Sequence, residues 1–287
     1  MLKLGIALSG GGIRGIAHAG VLKALEENDI KIDAISGTSS GGLVASLYAM
    51  GYSPYHIYIL CKKYSKKFVG MNSKPLLSGI SNLIKNRKIT LSGLRTGKSI
   101  EDAYNQIALR KNIVKIKDVK KMPLVIPAVD VQNSKECVFT NKIPRKTDSS
   151  VEYITDISIG KAVRASISFP GVFCPCEFEN HKFLDGGILD NIPVLELKKQ
   201  GTDKVIAVNF KADDINSCSN IMDIGMRTID IMGNKISEES LNSSDFILTV
   251  ATDKTGLLDT EKVDNCYEYG YKAAMQNINK IREILIK

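Results

Sequence analysis

The sequence predicts an α/β protein, a three-layer α/β/α sandwich with a mostly parallel central sheet. Short apolar runs bounded by glycines or polar turns recur along it, as strands buried on both faces do. Segments with apolar residues at helical spacing lie between them, the alternation that builds parallel sheets. Its 287 residues, 44% hydrophobic and 24% charged, suit one large core. That composition excludes a disordered or collagen-like chain, and six cysteines in such a length do not make a disulfide framework.

The elements follow in order. Leu2–Leu8 reads as a buried strand, Gly10–Gly12 as a loop, and Ile13–Glu27 as a helix. Lys31–Ile35 reads as a second strand, Ser36–Gly42 as a tight turn, and Leu43–Met50 and Pro54–Val69 as helices. The chain is then basic and poor in strand signals as far as Lys121. Pro123–Val131 and Cys137–Thr140 read as a hairpin, Ser158–Ser168 as a helix, and Phe183–Leu184 as a short strand. Val194–Lys199 (helix), Lys204–Phe210 (strand), Ile221–Leu241 (helix), Phe246–Val250 (strand) and Glu261–Ile284 (helix) complete the pattern. No internal repeat or linker divides the chain. We expect one domain over residues 1–287, with a basic, mostly helical, cap-like segment at about 52–121.

Three motifs carry chemistry. Gly10-Gly11-Gly12-Ile13-Arg14-Gly15 satisfies the dinucleotide pattern G-x-G-x-x-G between a strand and a helix. A nicotinamide site also wants an acidic residue at the end of the second strand. Asp33 lies near that strand's start, and the strand runs out in Ser36-Gly37. What remains is a loop whose amides and helix N-terminus can hold a phosphate or a developing oxyanion. Gly37-Thr38-Ser39-Ser40-Gly41 matches G-x-S-x-G at a strand–helix turn, which lifts Ser39 clear of the sheet. Asp185-Gly186-Gly187 follows the apolar Phe183-Leu184 and can present a carboxylate in a cramped site.

A base for Ser39 must come from this set. Of the three histidines, His18 and His56 fall on helical patterns as ordinary helix residues, and none follows Asp185. A triad in the order Ser, Asp, His through Asp185 is therefore impossible. His181, in a polar turn near Asp185, is the remaining histidine candidate. A serine–aspartate dyad needs none of them, because a carboxylate can take the serine proton directly.

Together these motifs resemble the patatin-like phospholipase family. Two further family elements are Ala165-Ser166 with Pro170, and Asn191-Ile192-Pro193. The match covers about Leu2–Met50 and Met122–Val208. The resemblance implies a lipid acyl hydrolase with Ser39 as nucleophile and Asp185 as base. The amides of Gly10, Gly11 and Gly12 would form the oxyanion hole with Arg14 beside them, supported by Gly15, Gly37, Gly41, Gly186 and Gly187. The substrate would be a phospholipid or other lipid ester. A non-catalytic lipid-binding protein on the same fold is the alternative. The chemistry asks for no cofactor and no metal. Cys174-Pro175-Cys176, with His181 its only nearby histidine, reads as structural thiols.

The net charge of +8 is not spread evenly. Residues 61–121 hold 16 Lys/Arg and 3 Asp/Glu, or +13, leaving −5 elsewhere. We expect this segment to touch anionic membrane, and no nucleic-acid motif accompanies it. The apolar run at Leu4–Leu8 is too short for a secretory signal, and no stretch reaches about 18 apolar residues. The cytoplasm, with peripheral membrane contact, is the expected location; export without a cleavable signal stays open.

Overall fold

The computed structural model describes residues 2–69, 93, 95–211, 221–253, 255–256 and 259–286. Among them, nine strands form one sheet. The strands are β1 (Leu4–Leu8), β2 (Ala34–Gly37), β3 (Leu124–Asp130), β4 (Lys135–Thr140), β5 (Val151–Ile154), β6 (Cys176–Phe178), β7 (His181–Asp185), β8 (Lys204–Phe210) and β9 (Phe246–Val250). The helices are α1 (Ala17–Glu27), α2 (Ser40–Ala49), α3 (Pro54–Val69), α4 (Lys98–Leu109), α5 (Ile159–Ser166), α6 (Val194–Lys198), α7 (Ile221–Ser243) and α8 (Val263–Ile286). The main path is β5-β4-β3-β2-β1-β8-β9. From β3 through β2, β1 and β8 to β9 all pairs are parallel; β4 meets β3 antiparallel, as the hairpin reading expects.

The sheet is buried on both faces, so its strands are apolar at successive positions. In β1, Leu4, Ile6 and Leu8 enter the larger core with α1, α2 and α8. Ala7 joins Ala34, Val205, Ala207 and the α6 residues Val194 and Leu197 in a smaller core on the other face. Layers of helix, sheet and helix result.

Several boundaries differ from the sequence reading. The second strand begins at Ala34 rather than Lys31, because the Asp33 carboxylate is occupied accepting the Leu4 N–H at 3.1 Å. It runs on to Gly37, which pairs with Leu8, so Ser36 and Gly37 belong to the strand and not to the turn. Helix α2 starts directly after, at Ser40. In the cap-like segment, α3 has the bounds read from the sequence and Lys98–Leu109 forms a further helix, α4, while residues 70–92 and 94 lie outside the described residues.

One departure from the parallel order positions the site. The first part of β3 pairs with β2, through Leu124 and Val125. Its last part pairs antiparallel with β7, Ala128 opposite Asp185. Strand β7 thus lies end to end with β2 along one strand, and their C-terminal ends face each other.

Candidate active site

Ser39 sits where those two ends meet. It has φ 54° and ψ −122°, a conformation that non-glycine residues rarely adopt and that marks a strained strand–helix elbow. The turn is tight because its glycines permit contact: a Cβ on Gly37 would collide with the Gly41 backbone, and one on Gly41 with the Leu8 and Ser9 carbonyls. Thr38 is buried and Ser39 half-buried. The serine is therefore reachable on a fixed support.

Asp185 ends β7 with 4% of its surface exposed. Its Oδ1 accepts the Gly187 N–H at 2.9 Å, which fixes the carboxyl plane. Burial pushes its pKa up to about 6; the Gly187 amide and the Ser39 side chain pull it the other way. Oδ2 is buried without a partner of regular hydrogen-bond geometry. The Ser39 hydroxyl thus influences a carboxyl that keeps a free acceptor, the loose contact common in ligand-free active sites.

The glycine loop follows β1 and closes the third side. A Cβ on Gly10 would lie 3.4 Å from Ser39 Cβ, so the loop lies against the serine. The Gly10 N–H, expected in the oxyanion hole, instead donates to the Asn191 carbonyl at 3.2 Å. Among the described residues, the Gly11 and Gly12 amides have no such backbone partner. Arg14 lies beside the loop, as expected of its place in the motif. It is 6% exposed, its Nε donates to the Gly11 carbonyl at 3.3 Å, and its guanidinium lies over the Phe210 ring. In this arrangement it braces the loop. Gly15 packs against Ser40, and Gly186 against the Pro127 carbonyl.

The two further family elements gain physical roles. At the end of α5, Ser166 Oγ accepts the Ser39 N–H at 3.0 Å, and the Ser168 carbonyl accepts the Asp185 N–H at 3.1 Å. The strap 190–193 holds the other pieces. Thr38 Oγ1 donates to the Asp190 carbonyl at 2.7 Å and Ser36 Oγ to the Pro193 carbonyl at 3.0 Å, beside the Gly10–Asn191 bond. Arg164, buried, donates to the Thr96 and Cys174 carbonyls and ties the edge of α4 to the segment before β6.

The histidines take no part. His18 is fully buried, bonds the Ser9 carbonyl at 2.8 Å, and is pushed down to about 4 by burial against the opposing pull of that carbonyl. His56 bonds Ser53 at the start of α3. His181 bonds Asp130 through Nδ1 at 3.0 Å and stacks on Phe183.

An apolar slot adjoins the serine. Its lining includes Gly12, Ser40, Leu43, Leu47, Cys61 and Tyr104. Helices α2, α3 and α4 form its walls. The basic face of α3 is partly neutralised: Lys62 pairs with Asp264 at 2.7 Å and Lys66 with Glu261 at 3.1 Å. Lys115 and Lys117 both reach Asp156. Exposed pairs such as these contribute little stability, but they lower the field that the residue count suggests. Among the described residues, no helix is long and apolar enough to cross a membrane.

A serine on a strained elbow, a glycine loop and a buried aspartate thus stand together at the strand ends of a mostly parallel sheet with helices on both faces. The particular family follows from comparison: the family model described as Patatin-like phospholipase matches residues 6–198, and the chain belongs to that family. Among curated proteins it is similar to Lysophospholipase NTE1 of Scheffersomyces stipitis, 30% identical over 94% of this chain and 18% of that protein. It is also similar to Lysophospholipase NTE1 of Candida albicans, 28% identical over 94% of this chain and 20% of that one. The chain thus spans about a fifth of the length of these relatives. Among solved structures, VipD from Legionella pneumophila shares the fold, with a TM-score of 0.52 at 16% identity, over 97% of this chain and 67% of that one.

Proposed function

We propose that this chain is a lipid acyl hydrolase of the phospholipase A or lysophospholipase type, acting through Ser39 and Asp185. The observation that carries this reading is an apolar slot lined in part by Gly12 of the glycine loop and by Ser40, the residue after the strained Ser39. An ester whose acyl chain enters the slot has its carbonyl carbon at Ser39 Oγ. Asp185, ionised, takes the serine proton as Oγ attacks. The negative charge on the carbonyl oxygen then meets the Gly11 and Gly12 amides; removing one such donor typically costs about 10²–10³ in rate. The protonated Asp185 returns its proton to the leaving alcohol, and the acyl group stays on Ser39. Water attacks this ester as Asp185 takes its proton, the acyl–Oγ bond breaks, Asp185 returns the proton to Ser39 Oγ, and the fatty acid leaves.

The slot holds about 100 Å³. That is below the ~300–1,000 Å³ of pockets that enclose a small ligand, so the slot takes only part of a long acyl chain in this arrangement. The names of the relatives favour substrates with a single acyl chain. Contact with anionic lipid through the basic segment belongs to the same reading.

The test is product profiling from a mixed lipid extract, with Ser39→Ala beside the wild type, and labelling of both by a fluorophosphonate. Free fatty acid and labelling from the wild type alone support the reading. Equal labelling of Ser39→Ala, or lipid binding without product, overturns it.

A further inference from the structure

Cys137, Glu152 and His181 come from three different strands and meet on one face of the sheet. Cys137 on β4 pairs directly with Glu152 on β5. His181 on β7 stacks on Phe183, ring centroids 5.3 Å apart, and Phe183 meets Phe139 of β4 edge-on at 5.2 Å. These ring contacts carry His181 across the end of β3 to the β4–β5 pair. One donor atom from each of Cys137, Glu152 and His181 lies within 4.8 Å of the other two.

The histidine is held in a defined orientation. Its Nδ1 lies 3.0 Å from Asp130 Oδ2. Asp130 is itself buried, 1% exposed, and fixed by the Gln132 and Lys182 amides and by Asn133 Nδ2. A carboxylate in that place calls for N–H at Nδ1. In neutral imidazole this leaves a lone pair on Nε2. Nε2 faces Glu152 Oε1 at 3.5 Å, with the Cys137 thiol beside them. A cation between them satisfies all three. A carboxylate behind the histidine is also the usual support of a metal-bound imidazole.

We propose that Cys137 Sγ, Glu152 Oε1 and His181 Nε2 bind one divalent cation of zinc type, with Asp130 positioning the imidazole. A sulfur, nitrogen and oxygen set suits zinc or cobalt and disfavours magnesium and calcium. Bonds of about 2.0–2.3 Å to a tetrahedral ion separate its ligand atoms by about 3.3–3.8 Å, so the set closes by about 1.5 Å at most on binding. On binding, the Cys137 S–H bond breaks, the proton leaves to solvent, and a sulfur–metal bond forms with no change of oxidation state. Glu152 is half-exposed, so the fourth position falls to water. Asp185 stands four residues along β7, about 13 Å away at strand rise. The ion therefore ties β4 and β5 to the strand that carries Asp185, and takes no part in ester cleavage.

Cobalt(II) titration of the full chain, stripped with chelator, tests this. Wild type is expected to take one equivalent, with a thiolate-to-cobalt charge-transfer band that zinc(II) displaces. Cys137→Ser loses the band, Glu152→Gln and His181→Asn each bind at least tenfold more weakly, and Asp130→Asn binds about 10–100-fold more weakly. Cys176→Ser keeps the band, and so does Ser39→Ala, which separates this site from the hydrolase reading. A folded wild type with no charge-transfer band at saturating cobalt overturns the proposal, as does a band that survives Cys137→Ser. So does nitrogen NMR finding His181 doubly protonated at neutral pH in excess zinc, because an imidazolium bridging Asp130 and Glu152 would then be the whole explanation.

Discussion

Ser166 Oγ accepts the backbone N–H of Ser39 at 3.0 Å. The same turn supplies the Ser168 carbonyl to the Asp185 N–H. One helix end therefore holds the backbone N–H groups of both Ser39 and Asp185. Removing the Ser166 hydroxyl strands the Ser39 amide in a buried place, at a cost of about 1–3 kcal/mol. Ser166→Ala should lower kcat by roughly tenfold or more, with KM little changed, while the protein stays folded by circular dichroism. A wild-type kcat in that variant would remove Ser166 from the support of the elbow.

The pH dependence of turnover should report Asp185. It must be ionised to accept the serine proton, and burial lifts its pKa to about 6. For a soluble short-chain ester, kcat/KM should fall about tenfold per pH unit below about pH 6 and level off above it. An acidic limb centred near pH 4 would mean that the carboxyl is solvated during the reaction.

The same burial has a consequence for stability. The folded protein holds the Asp185 proton more tightly than the unfolded chain, so folding stability falls as pH rises from about 4 through about 6. The difference between the raised value of about 6 and the ordinary 3.8 corresponds to about 3 kcal/mol. Asp185→Asn removes that loss together with turnover. Its melting temperature should exceed the wild type's at pH 8 and approach it at pH 4. Equal melting temperatures at pH 8 would contradict the burial argument.

The slot predicts chain-length selection. Cys61 projects from α3 into it, facing Leu47 and Tyr104. Cys61→Phe fills that space. Hydrolysis of long-chain esters should drop at least tenfold relative to a short-chain ester, read as a ratio of kcat/KM values. An unchanged ratio would place the acyl chain elsewhere.

Ser39, Asp185 and the glycine loop are legible in the sequence because each is a compact local pattern with its own turn chemistry. The supports are harder to read. Ser166 and Asn191 stand in recognisable segments, yet their partners are remote in the chain, and only the closed sheet brings Ser39 and Gly10 to them. The role of Gly10 differs from expectation for the same reason: a strap far along the chain claims its amide. Helix α4 could have been found, since Ile100, Ala103, Tyr104, Ile107 and Ala108 make a buried stripe at helical spacing. The short strand β5 could not, because its four residues are all half-buried and no apolar run marks it. Cys137, Glu152 and His181 are likewise scattered in sequence, and His181 meets Cys137 rather than the nearer Cys174 and Cys176.

Strand β3 acts as a ruler. Ser36, three residues before Ser39, is registered on Val125, and Asp185 is registered on Ala128 of the same strand. The separation of Ser39 and Asp185 is thus set by ladder register and not by the loops between. A one-residue slip of β7 would turn Asp185 to the opposite face of the sheet and silence the serine at a stroke.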